Sequence, residues 1–88
     1  MYTLVIHKKA AKFLKSRNLS TKKLIKKKLD LLKEDPFAHS QLDIKKLKGL
    51  ENIYRLRIGI IRIIYQVEKH KLLILIISAG ARGDVYKK

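Results

Sequence analysis

The chain has 88 residues, 47% of them hydrophobic, and no cysteine, so one core can form while a disulfide framework or a Cys-based zinc site is excluded. Its 22 Lys and Arg stand against 7 Asp and Glu, a formal charge of +15. An excess of that size repels itself in the compact state and points to a polyanionic partner, whether RNA, DNA or an acidic protein. The first residues carry no basic region followed by a long apolar stretch, so no signal peptide is expected. The longest apolar run, Leu72 to Ile77, falls far short of the ~20 residues a membrane helix needs. The expectation is a single soluble domain over residues 1–88, cytoplasmic and without membrane association.

In chain order, Tyr2 to His7 reads as a short strand. From Lys8 to about Arg17 the pattern turns helical, with Ala10, Phe13, Leu14 and Arg17 on one face. "SRNLS" breaks it, and Ser20 is a candidate N-cap for a second helix from Thr21 to Glu34. There Leu24, Ile25, Leu29, Leu31 and Leu32 form an apolar stripe, flanked by Lys22, Lys23, Lys26, Lys27, Lys28 and Lys33. After a loop from Pro36 to about Asp43, "KKLKGL" reads as a short edge strand stopped by glycine. "YRLRI" and "IRIIYQV" form a hairpin, and "KLLILIIS" is expected to be the most buried strand. The predicted class is α+β in the order β-α-α-β-β-β-β, a helical hairpin packed on one side of a mostly antiparallel sheet.

Lysine and arginine are distributed differently. Most lysines precede Leu50, whereas four of the five arginines, Arg55, Arg57, Arg62 and Arg82, follow it. Lysine on a helix supplies solubility and diffuse attraction, while the planar arginine fork grips phosphate in a bidentate way. Residues two apart on a strand share a face, so Arg55 and Arg57 point together and Tyr54, Leu56 and Ile58 point to the core. A two-residue turn at Ile58-Gly59 would set Arg55 opposite Arg62. An outer sheet face is commonly just solvated and polar. What favours a focused site is "GARGDVY", which brings Arg82 and Tyr86 just after the last core strand.

Other chemistry has little support. His39 lies in a loop and His70 in a turn, and with His7 all three read as surface residues rather than a converging acid–base pair. The seven acids are scattered, so no metal site and no cofactor are expected. No Gly-rich phosphate loop or Ser-His-Asp set is present. An arginine cluster suits RNA chemistry in which the 2′-hydroxyl attacks its own phosphodiester, because the protein then supplies charge stabilisation rather than a nucleophile. Arginine is a poor base, with a pKa of about 12.5 or higher. The residues by themselves therefore indicate a basic nucleic-acid binder and leave nuclease activity open.

"KKLKGLENIYRLRIGIIRIIYQV" followed by "LLILIISAGARGDVY" resembles the RelE branch of the RelE/ParE toxin superfamily. The ordered set Leu47-Lys48-Gly49, Tyr54 to Gly59, Arg62 with Tyr65, and Gly80-Ala81-Arg82 with Val85-Tyr86 carries the resemblance, which covers essentially the whole chain. It implies a toxin of a type II toxin–antitoxin system, a ribosome-dependent endoribonuclease that cuts mRNA in the decoding site and leaves a 2′,3′-cyclic phosphate. It also implies a RelB-like antitoxin that wraps the toxin in a hetero-oligomeric complex, with ribosomal RNA and mRNA as the other partners. Under the same resemblance Arg55 and Arg57 occupy the basic positions of the first hairpin strand, and Arg62 sits at the scissile phosphate. Arg82 matches the C-terminal arginine and Tyr86 the tyrosine near the attacked nucleotide. Lys46 and Lys48 would grip RNA, and helix lysines such as Lys26 and Lys27 would face ribosomal RNA. Two departures stand out: Gly59-Ile60-Ile61-Arg62 where relatives often have Gly-Asp-Tyr-Arg, and Ala81 where many carry His or Lys. The rival readings are a ParE-like gyrase poison and a binding-only member of the fold.

Overall fold

The computed structural model describes residues 1–81, so the expectations for Arg82 and Tyr86 lie outside the described residues. The elements run β1 (Thr3–Ile6), α1 (Lys8–Lys15), α2 (Leu19–Glu34), β2 (Asp43–Lys46), β3 (Ile53–Ile58), β4 (Ile61–Glu68), a 3-10 turn (Lys69–Lys71) and β5 (Leu73–Ala81). This is the predicted α+β order. The five strands form one sheet in the order β1-β5-β4-β3-β2. β1 pairs parallel with β5, and every other pairing is antiparallel.

Local chemistry explains the helix ends. His7 caps α1, its Nδ1 accepting the Lys9 N–H at 3.2 Å. α1 stops at Lys15, two residues earlier than expected, because the Ser16 hydroxyl and Arg17 Nε both donate to the Phe13 carbonyl, at 2.7 and 3.3 Å. The Arg17 guanidinium then lies 4.2 Å from the centre of the Phe13 ring, so this arginine serves the helix end. The N-cap of α2 is Asn18, not Ser20: Asn18 Oδ1 accepts from the Thr21 N–H at 2.8 Å and from the Ser20 hydroxyl at 3.0 Å. Asn18 wins because its side chain reaches the third helical N–H, which lacks an intrahelical partner.

The core forms where the helices cover one face of the sheet. Ala10 and Leu14 of α1 and Ile25, Leu29 and Leu32 of α2 pack with Leu56, Ile58, Ile63, Tyr65 and Ile76. The apolar stripe of α2 is narrower than expected. Ile25, Leu29 and Leu32 recur at four- and three-residue steps and are buried. Leu24 and Leu31 are displaced by one position from that row, and Leu24 is exposed.

β4, not β5, is the most buried strand. The apolar run of β5 alternates between faces, and only one face is covered. Ile74 and Ile76 are fully buried, whereas Leu73 and Leu75 are half-buried and Ile77 is exposed. A bulge adds to this: Ile64 pairs with Ser78 and Tyr65 with Ile76, so the register passes over Ile77.

The β3–β4 turn is Gly59-Ile60, one residue later than expected, with Ile58 paired to Ile61. Gly59 has φ +61°, and a Cβ there would meet nothing within 4 Å. The glycine is therefore required by backbone conformation rather than by space. A positive φ at the first turn residue alone belongs to a type II′ turn. Ile61 is buried in the core, which accounts for it without reference to the site, whereas Ile60 is exposed at the tip and nothing in the structure explains it. β2 likewise ends at Lys46, so Lys48 lies in the following turn rather than on an edge strand.

Candidate nucleic-acid interface

The turn at Gly59-Ile60 decides which arginines meet. Arg57 lies opposite Arg62, and Arg55 opposite Ile64, correcting the Arg55–Arg62 pairing. The face assignment stands: Leu56 and Ile58 are buried under the helices, and Arg55, Arg57 and Arg62 share the face that the helices leave open. β2 extends this face, with Asp43 opposite Arg57 and Lys45 opposite Arg55.

Asp43 bridges the two β3 arginines. Arg55 Nη2 donates to Asp43 Oδ1 at 3.0 Å, and Arg57 Nε donates to Oδ2 at 2.9 Å. The Arg55 side chain is only 11% exposed, against 47% for Arg57. Arg55 Nε is buried and has no hydrogen-bond partner among the described residues. Beside this bridge is a concave surface of about 390 Å³ lined by Lys45, Lys46, Leu47, Lys48, Arg55 and Arg62. Lys46, Lys48, Arg55 and Arg62 thus line one concavity, with Arg57 next to them on β3.

Lys26 and Lys27 are not part of this cluster. They are exposed on α2, which packs on the other face of the sheet, and Lys26 pairs with Asp30 at 3.2 Å. Sequence reasoning missed Lys45 and Asp43. Both could have been found from the two-residue spacing that puts them on one face of β2, had its pairing with β3 been known.

The histidines are spread over different elements. His7 caps α1, His39 Nε2 lies 3.3 Å from Glu34 Oε1, and His70 is in the 3-10 turn. Tyr65 is fully buried, and its hydroxyl donates to the Pro36 carbonyl at 2.6 Å. Burial pushes its phenol above the usual tyrosine range, so it stays neutral and structural. Asp35 accepts the N–H groups of Phe37 and Ala38 at 2.9 and 3.2 Å, and those two bonds, Phe37 first, hold its carboxyl below the ordinary 3.8.

A small α+β sheet with a helical hairpin on one face and a cationic cluster on the other defines a class. The model of the family described as the ParE toxin of type II toxin–antitoxin systems, parDE, matches residues 4–86. The chain belongs to the RelE/ParE superfamily of type II toxin–antitoxin toxins. Within that superfamily its similarity runs to proteins bearing the RelE name. It is 36% identical over 86 residues to a Methanocaldococcus jannaschii protein named as toxin RelE1, covering 98% of this chain and 96% of the relative. A chain of the archaeal RelE–RelB complex from Pyrococcus horikoshii superposes with a TM-score of 0.82 at 31% identity, covering 93% of this chain and 96% of that one. A chain of the intact E. coli RelBE toxin–antitoxin complex gives a TM-score of 0.78 at 26% identity, covering 92% and 96%.

Proposed function

We propose that this toxin is an endoribonuclease that cuts mRNA on the ribosome, and so acts in the cytoplasm. The observation that carries the reading is the concavity lined by Lys45, Lys46, Lys48, Arg55 and Arg62, a shape and charge suited to a bent RNA phosphodiester. The RNA's own 2′-hydroxyl is the nucleophile, so the protein's task is to hold the nucleotides splayed and to stabilise charge as it grows on the phosphate. Preorganised arginine donors do this well because they need no reorganisation at the moment of reaction. Arg62 is assigned to the scissile phosphate, Arg55 and Arg57 to its flanks, and Lys46 and Lys48 to the strand on either side. Gly80 pairs with Arg62 and Ala81 with Ile61, so the end of the described β5 borders Arg62. The likeness to RelE proteins supports roles for Arg82 as a second phosphate ligand and Tyr86 near the attacked nucleotide. The lysines of α2, Lys26 and Lys27 among them, are assigned to ribosomal RNA at a distance from the reaction.

The partner in the resting state is an antitoxin of the RelB kind. The relatives crystallised as RelE–RelB complexes support this. So does an apolar groove of about 320 Å³ between β1, α1 and α2, where Leu4, Ile6, Leu14 and Leu29 are rimmed by Lys15, Lys22, Lys26 and Lys33, the last two paired with Asp30. An acidic amphipathic antitoxin segment complements both its floor and its rim.

The test is to add the toxin to ribosomes stalled on a defined mRNA and map new 5′ ends. Codon-phased cuts, reduced about 10²- to 10³-fold by Arg62→Ala, are expected. Cutting by Arg62→Ala at the wild-type rate would remove Arg62 from the site. The match to a ParE family model keeps one alternative in view, and gyrase-linked DNA breaks without mRNA cuts would favour it.

A further inference from the structure

We infer that Asp43 is a positioning residue for the arginine site, holding Arg55 and Arg57 in register for phosphate while engaging only Nη2 of Arg55 and Nε of Arg57. The inference rests on the endoribonuclease reading for its consequence in rate, and on the geometry of the bridge for its existence.

Asp43 is an anion set among Lys45, Arg55 and Arg57 on the open face, where mutual repulsion would otherwise drive the β3 side chains apart. Its two oxygens are divided between two arginines, Oδ1 to Arg55 and Oδ2 to Arg57. An arginine has five N–H donors in a planar fork. The bridge takes Nε of Arg57 and leaves both of its terminal nitrogens. From Arg55 it takes one bond at Nη2 and leaves Nη1. A carboxylate acting as a stand-in for phosphate would be expected to close over the terminal nitrogens of both forks; this one ties down the stem side of Arg57 and one corner of Arg55. Burial points the same way. Arg55 is mostly enclosed, its Nε has no partner among the described residues, and it lines the concavity. An enclosed guanidinium held by one short ion pair has few orientations left, which is what preorganisation requires.

The bridge predicts a split between binding and turnover. Asp43→Asn keeps the shape and removes the charge. It leaves one acceptor oxygen for two guanidinium groups and removes one negative charge, so RNA binding should be equal or tighter while the shared hold on the arginines is lost. On programmed ribosomes kcat should fall about 10- to 100-fold, with KM unchanged or lower. Asp43→Glu, which restores a carboxylate, should recover part of kcat. Glu34→Gln makes the same charge change at the end of α2 and should leave kcat within about twofold. Thermal melting of each variant checks that it folds. An unchanged or higher kcat in folded Asp43→Asn would overturn the inference and make Asp43 a bystander or a brake.

Side-chain NMR separates this from failure of the endoribonuclease reading. Whether or not the wild type cuts mRNA, its Arg57 Nε–H resonance should exchange slowly with water and do so rapidly in Asp43→Ala, which leaves no side-chain acceptor. Slow exchange retained in the variant would show that the bridge does not hold the arginine. A wild type that cuts nothing, with the resonance behaving as expected, would instead sink the endoribonuclease reading and leave the positioning of Arg57 intact.

Discussion

On the helical face of the sheet, Leu56, Ile58, Ile63 and Tyr65 are buried against α1 and α2; on the open face of the same strands stand Arg55, Arg57 and Arg62. The two faces alternate residue by residue along β3, so Leu56 is separated from an open-face arginine on either side by a single peptide unit. The lesson is that a strand of six residues holds stability and chemistry apart through the period of two, without needing separate segments for each. The α2 helix makes the same division less sharply: Ile25, Leu29 and Leu32 are buried, while lysines share the outer surface with the exposed Leu19 and Leu24. There the charges are scattered around a cylinder, whereas on the sheet they converge on one concavity.

That separation can be broken experimentally, and the largest effect is expected in the core. Leu32 is fully buried, and Leu32→Ala should cost about 2–5 kcal/mol of stability in denaturant unfolding. Arg62→Ala, on the open face, should cost less than about 1 kcal/mol while abolishing most of the cutting. Equal losses of stability in the two variants would show that the faces are not independent. Next in size is Tyr65→Phe, which removes the hydrogen bond to the Pro36 carbonyl. Leaving a buried acceptor without its donor should cost about 1–3 kcal/mol, with no change in cutting.

A smaller effect sharpens the assignment of the second helix. Asn18→Ala should cost about 1 kcal/mol and Ser20→Ala only a few tenths, measured by the shift in unfolding midpoint at constant slope. The reverse order would restore Ser20 as the cap. The smallest effect is in pH dependence. The Phe37 and Ala38 N–H groups lower the folded-state pKa of Asp35 below 3.8, so its contribution is fully present above that value and is lost as pH falls through the lowered one. Asp35→Asn should flatten the acid limb of the stability curve. An acid limb identical to the wild type's would show that the two bonds do not favour the ionised form.

Much of this was legible in the residues. Periodicity alone yields the element order, because each helix and strand carries its own pattern of apolar residues, and the Arg55–Arg57 face follows from spacing within one strand. The mistakes fall where partners come from elsewhere in the chain. Two good capping residues, Asn18 and Ser20, stood near one another, and only backbone geometry chose between them. The apolar run of β5 reads as buried on both faces, yet the helices are too few to cover the second one. The Arg57–Arg62 pairing depends on one residue of turn position, set by the positive φ at Gly59.

Local sequence thus determined which segments are helix or strand and which side chains share a face, since those properties depend on neighbours within a few positions. Tertiary structure alone decided that β5 lies between β1 and β4, that Lys45 joins the site, and that Asp43, 12 and 14 residues before the arginines it binds, ties them together. Those outcomes depend on how β2 registers with β3, a non-local choice made by turn conformation and by burial of the opposite face.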